Sequence, residues 1–136
     1  MFTVQRESAT IRTETVTLDS IGEAIAPVQF NRLMSRPGVM ASFQPIVRLD
    51  NQERIGYEIL SRSLFVGLET PDKMFRIAAQ RTSEAALSRV CRVEGMKAST
   101  RLDPNMQFYL NTHPAELNQD ELFESLLKQS LICFRT

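Results

Sequence analysis

The chain has no net charge to speak of: sixteen Lys and Arg balance sixteen Asp and Glu over 136 residues. That balance removes the electrostatic argument for general nucleic-acid binding and leaves only a local basic patch as a route to it. Cysteine is scarce. Cys91 and Cys133 are the two, with no C-x-x-C pair between them, so a thiolate zinc site is not indicated and two buried thiols in a reducing compartment are expected. One histidine, His113, stands without a second ligand at helical or turn spacing and reads as a structural residue before Pro114. No run approaches the roughly 18 apolar residues of a membrane span. The start, MFTVQRESAT, is polar and lacks the apolar stretch of a secretory signal. A soluble cytoplasmic protein without membrane or nucleic-acid partners is the default expectation. Internal repeats and low-complexity tracts are absent as well.

What is present suits one compact domain. Hydrophobic residues make up 43% of the chain and charged residues 24%, which is globular rather than disordered composition. The opening segment sets Ile11, Val16 and Leu18 among polar residues, as an edge strand would, or the tail of a preceding linker. Ser20 with Glu23 forms a capping-box pattern. Pro27 is expected to open a second helical stretch, with Phe30, Leu33 and Met34 on its core side, and Arg36-Pro37-Gly38 to stop it. Residues 40–49 and 54–60 read as two strands joined by a turn at Asp50-Asn51-Gln52, an antiparallel hairpin in which Gly56 marks a bulge or a close backbone approach.

Helical patterns come next. Thr70-Pro71-Asp72 is a start signal for a helix with Met74, Ile77 and Ala78 on one face. Ser83-Glu84 starts another, reaching about residue 100, with Ala86, Leu87, Val90 and Cys91 as its apolar stripe. Asp103-Pro104-Asn105 turns the chain into a strand over 106–111. Asn118 or Asp120 then caps a helix bearing Leu122, Phe123, Leu126 and Leu127, and LICF at 131–134 starts a further strand. Strand–helix–helix–strand–helix–strand order predicts an α/β fold with a parallel sheet. In such folds functional groups collect at the C-terminal ends of strands. Glu58 and Asn111 occupy such positions.

Each of these residues has two readings. Glu58 is either a solvent-facing residue of an edge hairpin or a carboxylate aimed into a site. Arg62, at the strand exit, is a surface arginine or a phosphate-binding fork. Asn111 caps the turn that follows it or offers a carbonyl oxygen to a cation.

Taken together, the motifs resemble a known family. FQPIV at 43–47, a turn, GYEILSR at 56–62 and, about fifty residues beyond Glu58, FYLNTHPAEL at 108–117 match the opening hairpin and next strand of EAL domains, in order; FRIAAQ at 75–80 is similar too. The resemblance covers roughly residues 40–130 and implies a TIM-like barrel whose first strand runs antiparallel to the rest. It implies metal-dependent hydrolysis of cyclic di-guanylate with Mg²⁺ or Mn²⁺. Matched position by position, Glu58 and Asn111 fall on metal ligands, and Gln44 and Arg62 on residues that contact the dinucleotide. Ile59 replaces the Ala of the family signature. No position within the chain matches the family's later Glu, Asp-Asp, Lys and Glu.

The organisation expected is therefore an N-terminal extension or linker over 1–39 and a truncated EAL-like domain over 40–136, a partial barrel that begins with an antiparallel hairpin. A full barrel takes roughly 250 residues. The expected function is a signalling or interaction module without hydrolase activity. No catalytic residue is assigned. Alternatives are a phosphodiesterase active alone or on assembly, a non-hydrolysing cyclic di-guanylate sensor, and a small α/β interaction domain outside the family. Open barrel edges would favour a homodimer or a swapped oligomer.

Overall fold

The computed structural model describes residues 16–35, 38–117, 122, 124 and 127. The expectations for residues 1–15, for Arg36-Pro37, for the Asn118 or Asp120 cap, for Phe123 and Leu126, and for the strand at 131–134 with Cys133 lie outside the described residues.

The described elements are α1 (Leu18–Ser35), β1 (Val39–Val47), β2 (Arg54–Ser63), α2 (Pro71–Gln80), α3 (Glu84–Ser99), β3 (Gln107–Leu110) and the single turn α4 (Pro114–Leu117). They make a mixed α/β fold around one sheet of order β1-β2-β3. The hairpin pairing is antiparallel, as expected, with Gln44 opposite Glu58. β3 then joins β2 in parallel, setting Glu58 beside Tyr109. Gly56 has both features expected of it. The register shifts opposite it, between Ile46 and Val47, and a Cβ there would collide with the Gln107 carbonyl oxygen of β3. Only a residue without a side chain lets β3 lie that close.

Two expectations at the front of the chain are corrected. Leu18 belongs to a helix rather than a strand, and α1 runs unbroken through Pro27 instead of restarting there. The capping box sits three residues earlier than the Ser20–Glu23 pattern suggested. Thr17 Oγ1 accepts the Ser20 N–H at 3.2 Å, and Ser20 Oγ accepts the Thr17 N–H at 2.9 Å. This reciprocal pair satisfies two donors at the helix entrance. Pro27 is tolerated because tertiary contacts hold the helix across it: Arg81 donates to the Pro27 carbonyl at 2.9 Å and to Asn31 Oδ1, and its guanidinium lies 5.6 Å from the centre of the Phe30 ring.

Ala26, Phe30 and Leu33 of α1 share one hydrophobic cluster with Val39, Leu68, Met74, Ile77, Ala78, Leu87 and Cys91. The α2 face is the one its spacing predicted. The α3 face is not. Ala86 is exposed, and the buried residues are Leu87, Ser88, Cys91, Arg92, Gly95 and Ser99. Half of this face is polar, so the apolar stripe marked only part of it. Gly95 lets α3 settle on the sheet, where an added Cβ would stand 2.7 Å from Ile59 Cγ2. Further on, Leu122 is buried and Leu127 exposed, both in helical conformation.

Candidate functional site

Strand alternation sorts the sheet into two faces. Ile59 and Leu110 meet α3 at Gly95 on one of them. Phe43, Tyr57 and Phe108 form an aromatic row there, with ring centroids 6.1 and 6.2 Å apart. By register, the other face carries Gln44 of β1, Glu58 and Arg62 of β2, and Tyr109 of β3. Asn111, the first residue beyond β3, turns to the same side: its Nδ2 donates to Glu58 Oε1 at 2.8 Å across 53 residues of sequence. The four residues singled out from the sequence thus share the face turned away from the helices.

Their placement differs in detail from the expectation. β2 continues to Ser63, so Glu58 is mid-strand rather than near the strand end. It stands near the end only of the stretch that pairs with β3. Gln44 is exposed, directly across the hairpin from Glu58. Arg62 lies further along β2, level with Met40 rather than Gln44, and donates to the Ser61 carbonyl at 2.8 Å. Glu58 is half-buried and held by Asn111 on this open face.

With the Asn111 amide donating, Glu58 Oε2 and Asn111 Oδ1 remain as hard oxygen donors, the kind that suits Mg²⁺ or Mn²⁺. The number of donors does not suit them. Among the described residues no group of three or more His, Cys, Asp or Glu is placed to share an ion. An octahedral ion takes six ligands, so the described residues match such a cation in chemistry but do not close a shell around it.

Sequence reasoning missed the group that holds the Asn111 segment in place. Arg92 and Glu116, with side chains 0% and 3% exposed, form a buried ion pair between α3 and α4. Ser88 Oγ donates to Glu116 Oε2 at 2.6 Å and accepts the His113 backbone N–H at 2.9 Å. The turn after Asn111 is therefore fastened to α3 by charge and hydrogen bonds inside the core. Arg92 carries no motif, Glu116 falls within the 108–117 motif without having been singled out, and each looks like a surface residue by type. His113 has the structural role expected of it. Its ring stacks on Phe75 at 5.0 Å, and its Nδ1 accepts the Ala115 N–H at 3.2 Å.

Four described titrating groups outside this face are shifted, among them Arg48, raised, and Asp50, lowered, by their mutual hydrogen bond at the hairpin turn. Burial pushes the Cys91 thiol up, against a lesser opposing effect of its hydrogen bond with Ser61. Glu69, which accepts the Gly67 N–H at 2.9 Å and pairs with Lys73 at 3.0 Å, is held down at about 2. No described helix is long and apolar enough to cross a membrane.

No family model and no curated protein matches the sequence. A solved structure described as the crystal structure of the FimX EAL domain superposes with a TM-score of 0.64 at 17% identity, over 79% of this chain. The chain spans 46% of that structure's length. At this identity the likeness is one of fold: a mixed α/β arrangement similar to that of the EAL domain.

Proposed function

We propose that this chain is an EAL-type module of cyclic di-guanylate signalling that does not hydrolyse the dinucleotide by itself and acts through contact or binding. The observation that carries this is the Asn111–Glu58 hydrogen bond on the open face of the sheet. It joins the two residues whose motif positions are metal ligands in EAL domains, on adjacent parallel strands, as a site of that family requires. Among the described residues no three His, Cys, Asp or Glu side chains are placed to share an ion, which favours the non-hydrolysing form. A catalytic metal must both bind and activate water, and two donors leave it held loosely.

The test is incubation of the chain at high concentration with cyclic di-guanylate and millimolar Mn²⁺, followed by chromatography of the products. We expect no linear dinucleotide, and no difference between the parent and Glu58→Ala. Turnover that Glu58→Ala abolishes would overturn the reading in favour of an active phosphodiesterase.

The sensor form of this function has its own support, since Gln44 stands across from Glu58 and Arg62 lies on the same face. A guanidinium fork and an amide are suited to phosphate and base edges. Calorimetry of cyclic di-guanylate against the parent and Arg62→Ala separates the two forms. Saturable heat that the variant loses identifies a sensor, and its absence in the parent leaves an interaction module.

A further inference from the structure

Behind the Glu58–Asn111 pair, between the sheet and helices α2 and α3, lies a cavity of about 240 Å³. Its apolar wall is made by Ile59, Leu60, Pro71, Phe75, Leu110 and Pro114. Most polar groups that reach it are already engaged within the protein. Ser88 is held by Glu116 and the His113 N–H, and Arg92 pairs with Glu116. The Cys91 thiol is hydrogen-bonded with Ser61, and the Asn111 amide donates to Glu58. His113 has spent Nδ1 on Ala115. The Thr112 hydroxyl, His113 Nε2 and Asn111 Oδ1 are polar groups at the cavity that these contacts leave available.

A buried water needs two to four polar partners, and an apolar cavity of about 150 Å³ stays dry and takes up benzene. This cavity is larger and mostly apolar, opens to the surface on one side, and has Thr112, His113 and Asn111 together to meet one polar hydrogen. Arg92, the charged residue at its wall, is already paired with Glu116, so an ionic ligand gains little there to offset its desolvation. Exposed Asn111 and Pro114 set one side of the cavity at the protein surface. We propose that it is a binding site for a neutral, ring-sized aromatic molecule of the phenol or indole class. This goes beyond the signalling function and does not depend on it, because the cavity lies on the helix side of the sheet.

The experiment is a methyl NMR titration of the whole chain with phenol, with benzoate as the charged counterpart. Saturable shifts at the Ile59 and Leu110 methyls with phenol, and none with benzoate, are expected. Cys91→Met and Leu110→Phe each put bulk into the cavity and should weaken phenol binding by about tenfold or more, with the circular dichroism spectrum retained. Absence of saturation in the parent overturns the proposal, as does an equal response to benzoate or undiminished affinity in a folded filling variant.

Discussion

Replacing Arg92 by Met tests whether the buried pair anchors the Asn111 segment. Arg92 is fully enclosed, and its partner Glu116 is 3% exposed. Met keeps much of the side-chain length but leaves the Glu116 carboxylate in the core with Ser88 Oγ, at 2.6 Å, as its remaining partner in the group. Breaking a buried pair from one side costs about 3–5 kcal/mol, because the uncompensated charge stays desolvated. For a chain of this size that is a fall in Tm of roughly 10–20 °C. Removing both charges in Arg92→Met/Glu116→Met should recover most of the loss, to within about 1–2 kcal/mol of the parent, since no buried charge is left and Ser88 Oγ still accepts the His113 N–H. Urea denaturation of the parent, both single variants and the double variant closes the cycle. A single-variant loss below about 1 kcal/mol would refute the reasoning. So would a double variant whose loss equals the sum of the singles, since that outcome means the two residues do not interact.

Other consequences follow from the same structure. Gly56→Ala places a methyl group against the Gln107 carbonyl of β3, and should destabilise the protein by about 2 kcal/mol or more while loosening the Glu58–Asn111 contact; denaturant melts and the Asn111 side-chain amide resonance report both. Arg81→Ala removes two hydrogen bonds and the Phe30 contact that hold α1 across Pro27, with an expected cost of about 1–2 kcal/mol and faster amide exchange in α1 by hydrogen exchange. Glu69 is lowered from 4.5 to about 2 in the folded protein. Its contribution is therefore present above the unfolded value and is lost as pH falls from about 4.5 through about 2. Glu69→Gln should flatten that part of the acid limb in a pH series of melts, and an unchanged limb would remove Glu69 from the account. Because burial pushes the Cys91 thiol up, alkylation by iodoacetamide at neutral pH should be slow in the folded chain and speed up on unfolding, as followed by mass spectrometry.

Much of the architecture was legible in the residues because it rests on local rules. The turn at Asp50-Asn51-Gln52, the Pro71 helix start and the Asp103-Pro104-Asn105 turn, where Asp103 accepts the Asn105 N–H at 2.9 Å, depend on neighbours in sequence. Pattern reading carried the α2 face for the same reason. It also fixed Gly56, whose lack of a Cβ is a property of the residue itself. Motif order brought out Gln44, Glu58, Arg62 and Asn111 before any geometry was at hand.

Tertiary structure decided what no local rule contains. Pro27 signals a break by its missing N–H, yet α1 continues through it, and Arg81, 54 residues away at the C-cap of α2, ties this part of the helix to the core by donating to the Pro27 carbonyl. The α3 stripe was incomplete because burial follows the partner surface as well as apolarity: Ser88 and Arg92 are inside since Glu116 and the His113 N–H are there to satisfy them. The same holds for the site. The sequence determined that Glu58 and Asn111 are oxygen donors at strand positions. Only the parallel register of β3 on β2 made them neighbours, because hydrogen bonding between strands sets distances that 53 intervening residues cannot.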